Sequence, residues 1–318
     1  MKADALPAPV LKGVEATVAQ AREGPARVRG AHPMGGGCIN HALRVEMDPG
    51  PAVFVKWNPA PPEGFFQAEV DGLQALERRN GPRIPKPLGH GAVPGGGPAW
   101  LVLEFLEEGP APKDFGARLG RAVAELHRPL RERSRGEEAS HRETDEVGWH
   151  QDNFIGSLPQ TNAAHPDWAA FWREERLEPQ VRRARNGGAL SSSEADELRR
   201  LLARVDERLD GIPTEGVSLL HGDLWSGNVR VGPQGEPVLL DPAVYRGHRE
   251  VDLAMADLFG GLPAGFEAAY HEVLPVDHGY HEVRRPLYQL YPLLVHVNLF
   301  GRSYAAGTLR AARKALGE

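Results

Sequence analysis

Between His221 and Asp241 the chain carries a set of polar residues that few folds can use. His221, Gly222 and Asp223 are followed by Leu224, Trp225, Ser226, Gly227 and Asn228, so an asparagine stands five positions after an aspartate. Val229 to Val231, a turn through Gly232, Pro233, Gln234 and Gly235, and then Pro237 to Leu240 predict a short hairpin. The hairpin delivers Asp241, thirteen residues after Asn228, beside the first carboxylate. Phosphoryl transfer needs this kind of set, because its catalysis is positioning and charge stabilisation around one phosphate. Asp223 is then the candidate proton acceptor, and Asn228 and Asp241 are the candidate ligands of a divalent metal. His-Gly-Asp alone reads better as a polar loop between two strands. The asparagine at that offset and the strand-borne aspartate favour the functional reading.

The rest of the chain has to supply a fold around these residues. It has 318 residues, 41% of them hydrophobic, enough for two lobes each with its own core, and no run of 18 apolar residues. Met1 to Pro7 lacks the apolar core of a secretory signal, and one cysteine, Cys38, cannot close an intrachain disulfide, so a cytoplasmic protein is expected. A net charge of −6 with dispersed arginines gives no electrostatic case for binding nucleic acid or an anionic membrane, and a small-molecule partner is expected instead.

Val10, Val14, Val18 and Ala21 predict a leading amphipathic helix. Strand-like runs at Ala26 to Arg29 and Ala42 to Glu46 flank Gly35, Gly36 and Gly37, whose backbone N–H groups could approach phosphate oxygens. A triple glycine also marks a plain hairpin turn, the expectation for Gly95 to Gly97. The strand Ala52 to Asn58 sets Lys56 among apolar residues, and a buried ammonium needs an anionic partner such as ATP phosphates or a glutamate carboxylate. Glu69, beside the apolar face of a helix over Phe66 to Glu77, is placed to be that carboxylate. A strand over Ala99 to Leu106 runs into a Pro/Gly-rich linker, Glu107 to Pro112. By fold-level analogy, backbone groups at Glu104, Phe105 and Leu106 would receive the adenine edge. The expected division is an ATP-binding lobe over 1–106 and a catalytic and substrate-binding lobe over 107–318, with the hinge around 104–110.

The second half reads as helical. Leu119, Val123, Leu126 and Leu130 form one apolar stripe, residues 131–146 form a charged surface loop, and Ser191 to Glu194 is a capping box that opens a helix running to Leu209. Trp168, Phe171 and Trp172 are expected in the core. The polar run from Asp152 and Asn153 to Gln160 and Asn162 suits either recognition of a polyhydroxylated ligand or surface turns. Asp277, His278 and His281 make a weak zinc alternative without a His-Glu-x-x-His pattern or a cysteine pair. Cys38 is either an inert thiol or an oxidation-sensitive one beside the glycine turn. Asp252, at the start of a helix, is expected to brace the catalytic loop.

These motifs taken together resemble the fructosamine kinase (ketosamine 3-kinase) family, relatives of choline kinases and aminoglycoside phosphotransferases. The resemblance runs from Gly35 to Asn40, through Phe54 to Lys56, Asp152 to Asn162, Trp168 and His221 to Asn228, and on through Asp241 to Met255 and Leu258 to Gly261. The Trp-Ser-Gly-Asn of the loop and the Asp-Pro-Ala-Val-Tyr block are specific to that family, whereas its relatives share only the His-Gly-Asp and Asn core. The resemblance implies an α+β, two-lobed protein-kinase-like fold, with an antiparallel N-terminal sheet carrying one main helix and a mostly helical C-terminal lobe. It implies ATP and Mg2+ as cofactors and phosphorylation of the 3-hydroxyl of a free or protein-bound ketosamine, which promotes deglycation and so protein repair. Asp223 would be the base, Asn228 and Asp241 the Mg2+ ligands, and Lys56 the phosphate clamp held by Glu69. Trp225 would wall the sugar site, with His296 and Asn298 facing the same cleft. Pro242 and Ala243 stand after Asp241 where protein kinases have Phe-Gly, so no phosphorylated activation segment is expected. An aminoglycoside or amino-alcohol phosphotransferase and a catalytically silent nucleotide- or sugar-binding protein stay open as alternatives, as does a homodimer.

Overall fold

A computed structural model describes residues 6–35, 39–129, 146–276 and 278–318. In chain order the elements begin with α1 (Ala8–Ala21), β1 (Arg27–Pro33), β2 (His41–Asp48), β3 (Val53–Asn58), α2 (Phe65–Glu77), β4 (Pro87–Ala92) and β5 (Ala99–Glu104). Next come α3 (Phe115–Leu126), β6 (Asn153–Ile155), β7 (Leu158–Gln160) and α4 (Trp168–Phe171), which passes through a π-helical turn (Trp172–Leu177) into α5 (Glu178–Asn186). They continue as α6 (Ser192–Leu202), α7 (Val205–Arg208), β8 (Ser218–Leu220), β9 (Val229–Val231), β10 (Pro237–Leu239) and β11 (Tyr245–Gly247). The last are α8 (Glu250–Ala256), α9 (Phe266–Val273), α10 (Arg285–Phe300) and α11 (Ala305–Leu316).

The chain forms two compact units, and their boundaries differ from the two contiguous spans expected. The first extends to Lys113 and also takes in Val229–Pro242, while the second holds Asp114–Asn228 and Ala243–Glu318. The reason lies in the β9–β10 hairpin. The Arg83 N–H donates to Pro237 O at 2.8 Å, Leu239 N–H donates to Arg83 O at 3.0 Å, and the Arg83 guanidinium bridges Glu236 and Glu104 at 3.1 Å each.

In the first unit an antiparallel sheet of order β1-β2-β3-β5-β4 is covered on one face by α1. Val10, Val14 and Val18 of α1 are buried with Val53, Val55 and Val102, and Trp100 Nε1 donates to Thr17 Oγ1 at 3.1 Å. Strand alternation then turns Lys56 to the opposite face, toward Glu69 of α2. Gly95, Gly96 and Gly97 all have positive φ and turn β4 into β5, an ordinary hairpin.

The second unit is mostly helical. Trp168, Phe171 and Trp172 are buried together with Tyr288 and Tyr291, so these aromatics are core. Both reciprocal bonds of the capping box form, Ser191 N–H to Glu194 Oε2 at 2.8 Å and Glu194 N–H to Ser191 Oγ at 3.3 Å. The helix expected from Ser191 to Leu209 is two pieces, α6 and α7. The stretch 131–145 and Asp277 lie outside the described residues.

Candidate active site

The loop bearing Asp223 leaves β8 where β8 pairs with β11, Leu220 opposite Tyr245. Ala243 N–H donates to His221 O at 2.9 Å, which draws the two segments together beyond the ladder. Gly222 has φ +80°, and a Cβ there would stand 2.0 Å from Ala243 O, so no other residue fits this turn. Asp252, fully buried on α8, accepts the N–H groups of His221 at 2.7 Å and Gly222 at 2.9 Å, and pairs with His127 Nε2 at 3.0 Å. Burial acts to raise this carboxyl, but the His127 hydrogen bond and charge, with His221, hold it below the ordinary carboxylate value. Asp252 thus braces the loop through its backbone.

Asn228 ends a 3-10 turn, Ser226–Asn228, and its Nδ2 donates at 2.9 Å both to Asp223 O and to Asp223 Oδ2. With the amide nitrogen so engaged, Oδ1 is the atom left to face a cation. The Trp225 ring lies over Gly227, where a Cβ would come within 2.2 Å of it. Trp225 meets Phe259 edge-on at 6.5 Å, and Phe259 packs on His296 at 4.4 Å. His296 Nδ1 donates to Pro292 O at 2.8 Å, and burial lowers the ring's pKa, so near neutral pH Nε2 is an acceptor. Phe259, which links Trp225 to His296, falls in the Leu258 to Gly261 block of the family resemblance but carries no site role there.

Asn298 does not join them. Its Nδ2 donates to Gln180 O at 3.1 Å and Gln180 Oε1 at 2.7 Å, tying α10 to α5. Two positions along a helix are about 200° apart, so His296 and Asn298 cannot share a face, and the expectation that both face one cleft is corrected.

In the first unit, Lys56 Nζ donates to Glu69 Oε1 at 2.5 Å and to the Asp241 carboxylate. Burial opposes the Lys56 ammonium, yet the charges of Asp241 and Glu69 outweigh it and its pKa rises. Glu69 is also pushed up, by burial first and by the Asp241 charge, despite Lys56. One ammonium cannot neutralise two carboxylates, and the uncompensated charge weighs on the more buried one: the Glu69 side chain is 12% exposed, that of Asp241 48%. Asp241 itself sits at φ +57°, a strained left-handed conformation for a non-glycine residue.

The end of β5 is held by its side chains. The Glu104 carboxylate accepts from Arg83 Nη2 at 3.1 Å and Lys86 N–H at 3.0 Å, so its side chain is structural. The Arg44 guanidinium lies 5.2 Å from the centroid of the Phe105 ring. Val53 opposite Glu104 is the last pair of the β3–β5 ladder, and Phe105 and Leu106 follow it. A Cβ on Gly35 would meet nothing within 4 Å. Gly36, Gly37 and Cys38 lie outside the described residues. Among the described residues no three His, Cys, Asp or Glu side chains cluster as metal ligands.

Comparison with known proteins agrees with this chemistry. The sequence profile of the fructosamine kinase family matches residues 11–318. A "probable ketoamine kinase" of Synechocystis sp. is 39% identical over 287 residues, covering 90% of this chain and 90% of that protein. The ketosamine-3-kinase of Mus musculus is 34% identical over 296 residues, covering 88% of this chain and 92% of the mouse protein. A crystal structure of a Thermobifida fusca protein assigned as a fructosamine-3-kinase superposes with a TM-score of 0.79 at 35% identity, covering 96% of this chain and 99% of the other.

Proposed function

The chain belongs to the fructosamine kinase family, and we propose that it transfers the γ-phosphoryl group of ATP to the 3-hydroxyl of a ketosamine such as a fructosamine or ribulosamine adduct. Its fold is the α+β protein-kinase-like fold. The observation that carries the reading is the family match over residues 11–318, which spans Lys56, Glu69, Asp223, Asn228 and Asp241 without a gap in the set. Bound Mg-ATP supplies the phosphoryl group and a cation that neutralises its charge. Asp223, its carboxylate fixed by the Asn228 amide, accepts the proton of the attacking sugar hydroxyl. Asn228 Oδ1 and the half-exposed Asp241 carboxylate are hard oxygen donors suited to Mg2+, which keeps waters and takes substrate phosphates rather than a full protein cage. Lys56, held by Glu69, meets the phosphates, and backbone groups of Phe105 and Leu106 receive the adenine edge. Trp225 and His296 bound the sugar. No helix among the described residues is long and apolar enough to cross a membrane.

The test is ADP release with Mg-ATP and a synthetic fructosamine, compared across fructoselysine, ribuloselysine, free ribulose and kanamycin. The reading requires the highest kcat/KM for a ketosamine. A preference for kanamycin would make the chain an aminoglycoside phosphotransferase, and tight binding without turnover would make it a silent binding protein.

A further inference from the structure

In the polar run the turn between β6 and β7 reaches the surface, with Ser157 exposed, but Asn153, Gln160 and Asn162 are all buried. They converge on Arg176, which sits on the π-helical turn Trp172–Leu177, is fully buried, and makes no ion pair among the described residues. Its guanidinium lies 3.9 Å from the centroid of the Tyr245 ring, while Nη1 donates to Thr161 O and Nη2 to Asn162 Oδ1, each at 2.6 Å. Asn162 Nδ2 donates to Asn153 Oδ1 at 3.0 Å, and Gln160 Nε2 donates to the same oxygen at 2.7 Å. From there the network reaches backbone: Gln160 Nε2 donates to Ala243 O at 3.2 Å, and Asn153 Nδ2 to Val244 O at 2.8 Å. The Tyr291 hydroxyl donates to Gln160 Oε1 at 2.7 Å.

A buried cation without a counter-charge is costly, and apolar packing alone would be served as well by a methionine. Only a guanidinium stacks on a ring and donates in its own plane at once. What it holds is Ala243 to Tyr245, the segment against which His221 and Gly222 are seated. We propose that Arg176 is a positioning residue for phosphoryl transfer, clamping Ala243 to Tyr245 so that the His221 to Asp223 loop keeps its geometry. This rests on the role given to Asp223 above.

Three variants test it with Mg-ATP and a fructosamine: Arg176→Met, Arg176→Lys and Asn162→Ala. Arg176→Met lowers kcat by about tenfold or more while KM for ATP stays within about twofold, and Arg176→Lys recovers part of the loss. Hydrogen exchange rises at the His221, Gly222 and Ala243 amides and not across α9 and α11. A merely structural role predicts the reverse, exchange rising throughout the second unit with kcat unchanged well below the melting temperature, and that result overturns the proposal. Should Arg176→Met not fold, Asn162→Ala cuts the hydrogen-bonded branch and leaves the cation on the Tyr245 ring; normal kcat and normal loop exchange in both it and Arg176→Lys refute the clamp. A wild-type chain that phosphorylates no ketosamine would defeat the proposed function, yet the exchange comparison would still decide the role of Arg176.

Discussion

Replacing Asp252 by asparagine alters one atom of a fully buried side chain and separates the brace from the chemistry it supports. The carboxylate meets donors at 2.7, 2.9 and 3.0 Å from His221 N–H, Gly222 N–H and His127. An asparagine that keeps its oxygen toward His221 and His127 must set its NH2 against the Gly222 N–H, donor against donor. One charge-assisted bond is lost and one buried N–H is left unsatisfied, a cost of about 2–4 kcal/mol, or roughly 3–6 °C in Tm for a chain of this length. Because the Asp223 backbone follows Gly222 directly, kcat falls about ten- to a hundredfold with KM for ATP unchanged. Thermal melts and steady-state ADP release measure both. The folded Asp252 carboxyl is held below its ordinary 3.8, so its stabilisation is complete above about pH 5 and is lost as pH falls through the lowered folded value. The stability gap between wild type and Asp252→Asn therefore narrows in strong acid, as pH falls through the folded Asp252 value. A variant that melts within about 1 °C of wild type with normal kcat refutes the brace. So does a gap that closes above about pH 5.

Asp223→Asn lowers kcat by roughly two to four orders of magnitude with ATP binding nearly intact; a variant keeping more than about a tenth of wild-type kcat would remove the base assignment. Asp241→Ala abolishes Mg2+-dependent ATP binding or turnover, and an unchanged Mg2+ titration would make Asp241 only a strand-end partner of Lys56. Asn298→Ala breaks the tie to Gln180, costing about 1 kcal/mol in a urea melt, while KM for the ketosamine holds; a raised KM would return Asn298 to the substrate site.

Local signals along the chain were enough to make part of this protein legible. The β9–β10 hairpin falls on Val229 to Val231 and Pro237 to Leu239, because a Gly-Pro-Gln-Gly turn between two apolar runs leaves the backbone little else to do. The capping box forms as Ser191 and Glu194 dictate, since both partners lie within one turn. Lys56 finds Glu69 because an ammonium in an apolar strand requires a carboxylate and the next helix presents one. Tertiary packing alone decided the rest. Lys56 also holds Asp241, 185 positions away, and the hairpin belongs to the first unit through Arg83. Asn298 serves α5 rather than the cleft, and Asn153, Gln160 and Asn162 turn inward to Arg176 instead of outward to a sugar. A periodic apolar residue announces its face by its spacing, whereas a polar side chain is satisfied by whichever donor or acceptor the folded chain brings within about 3 Å, and that partner is not written in its neighbours.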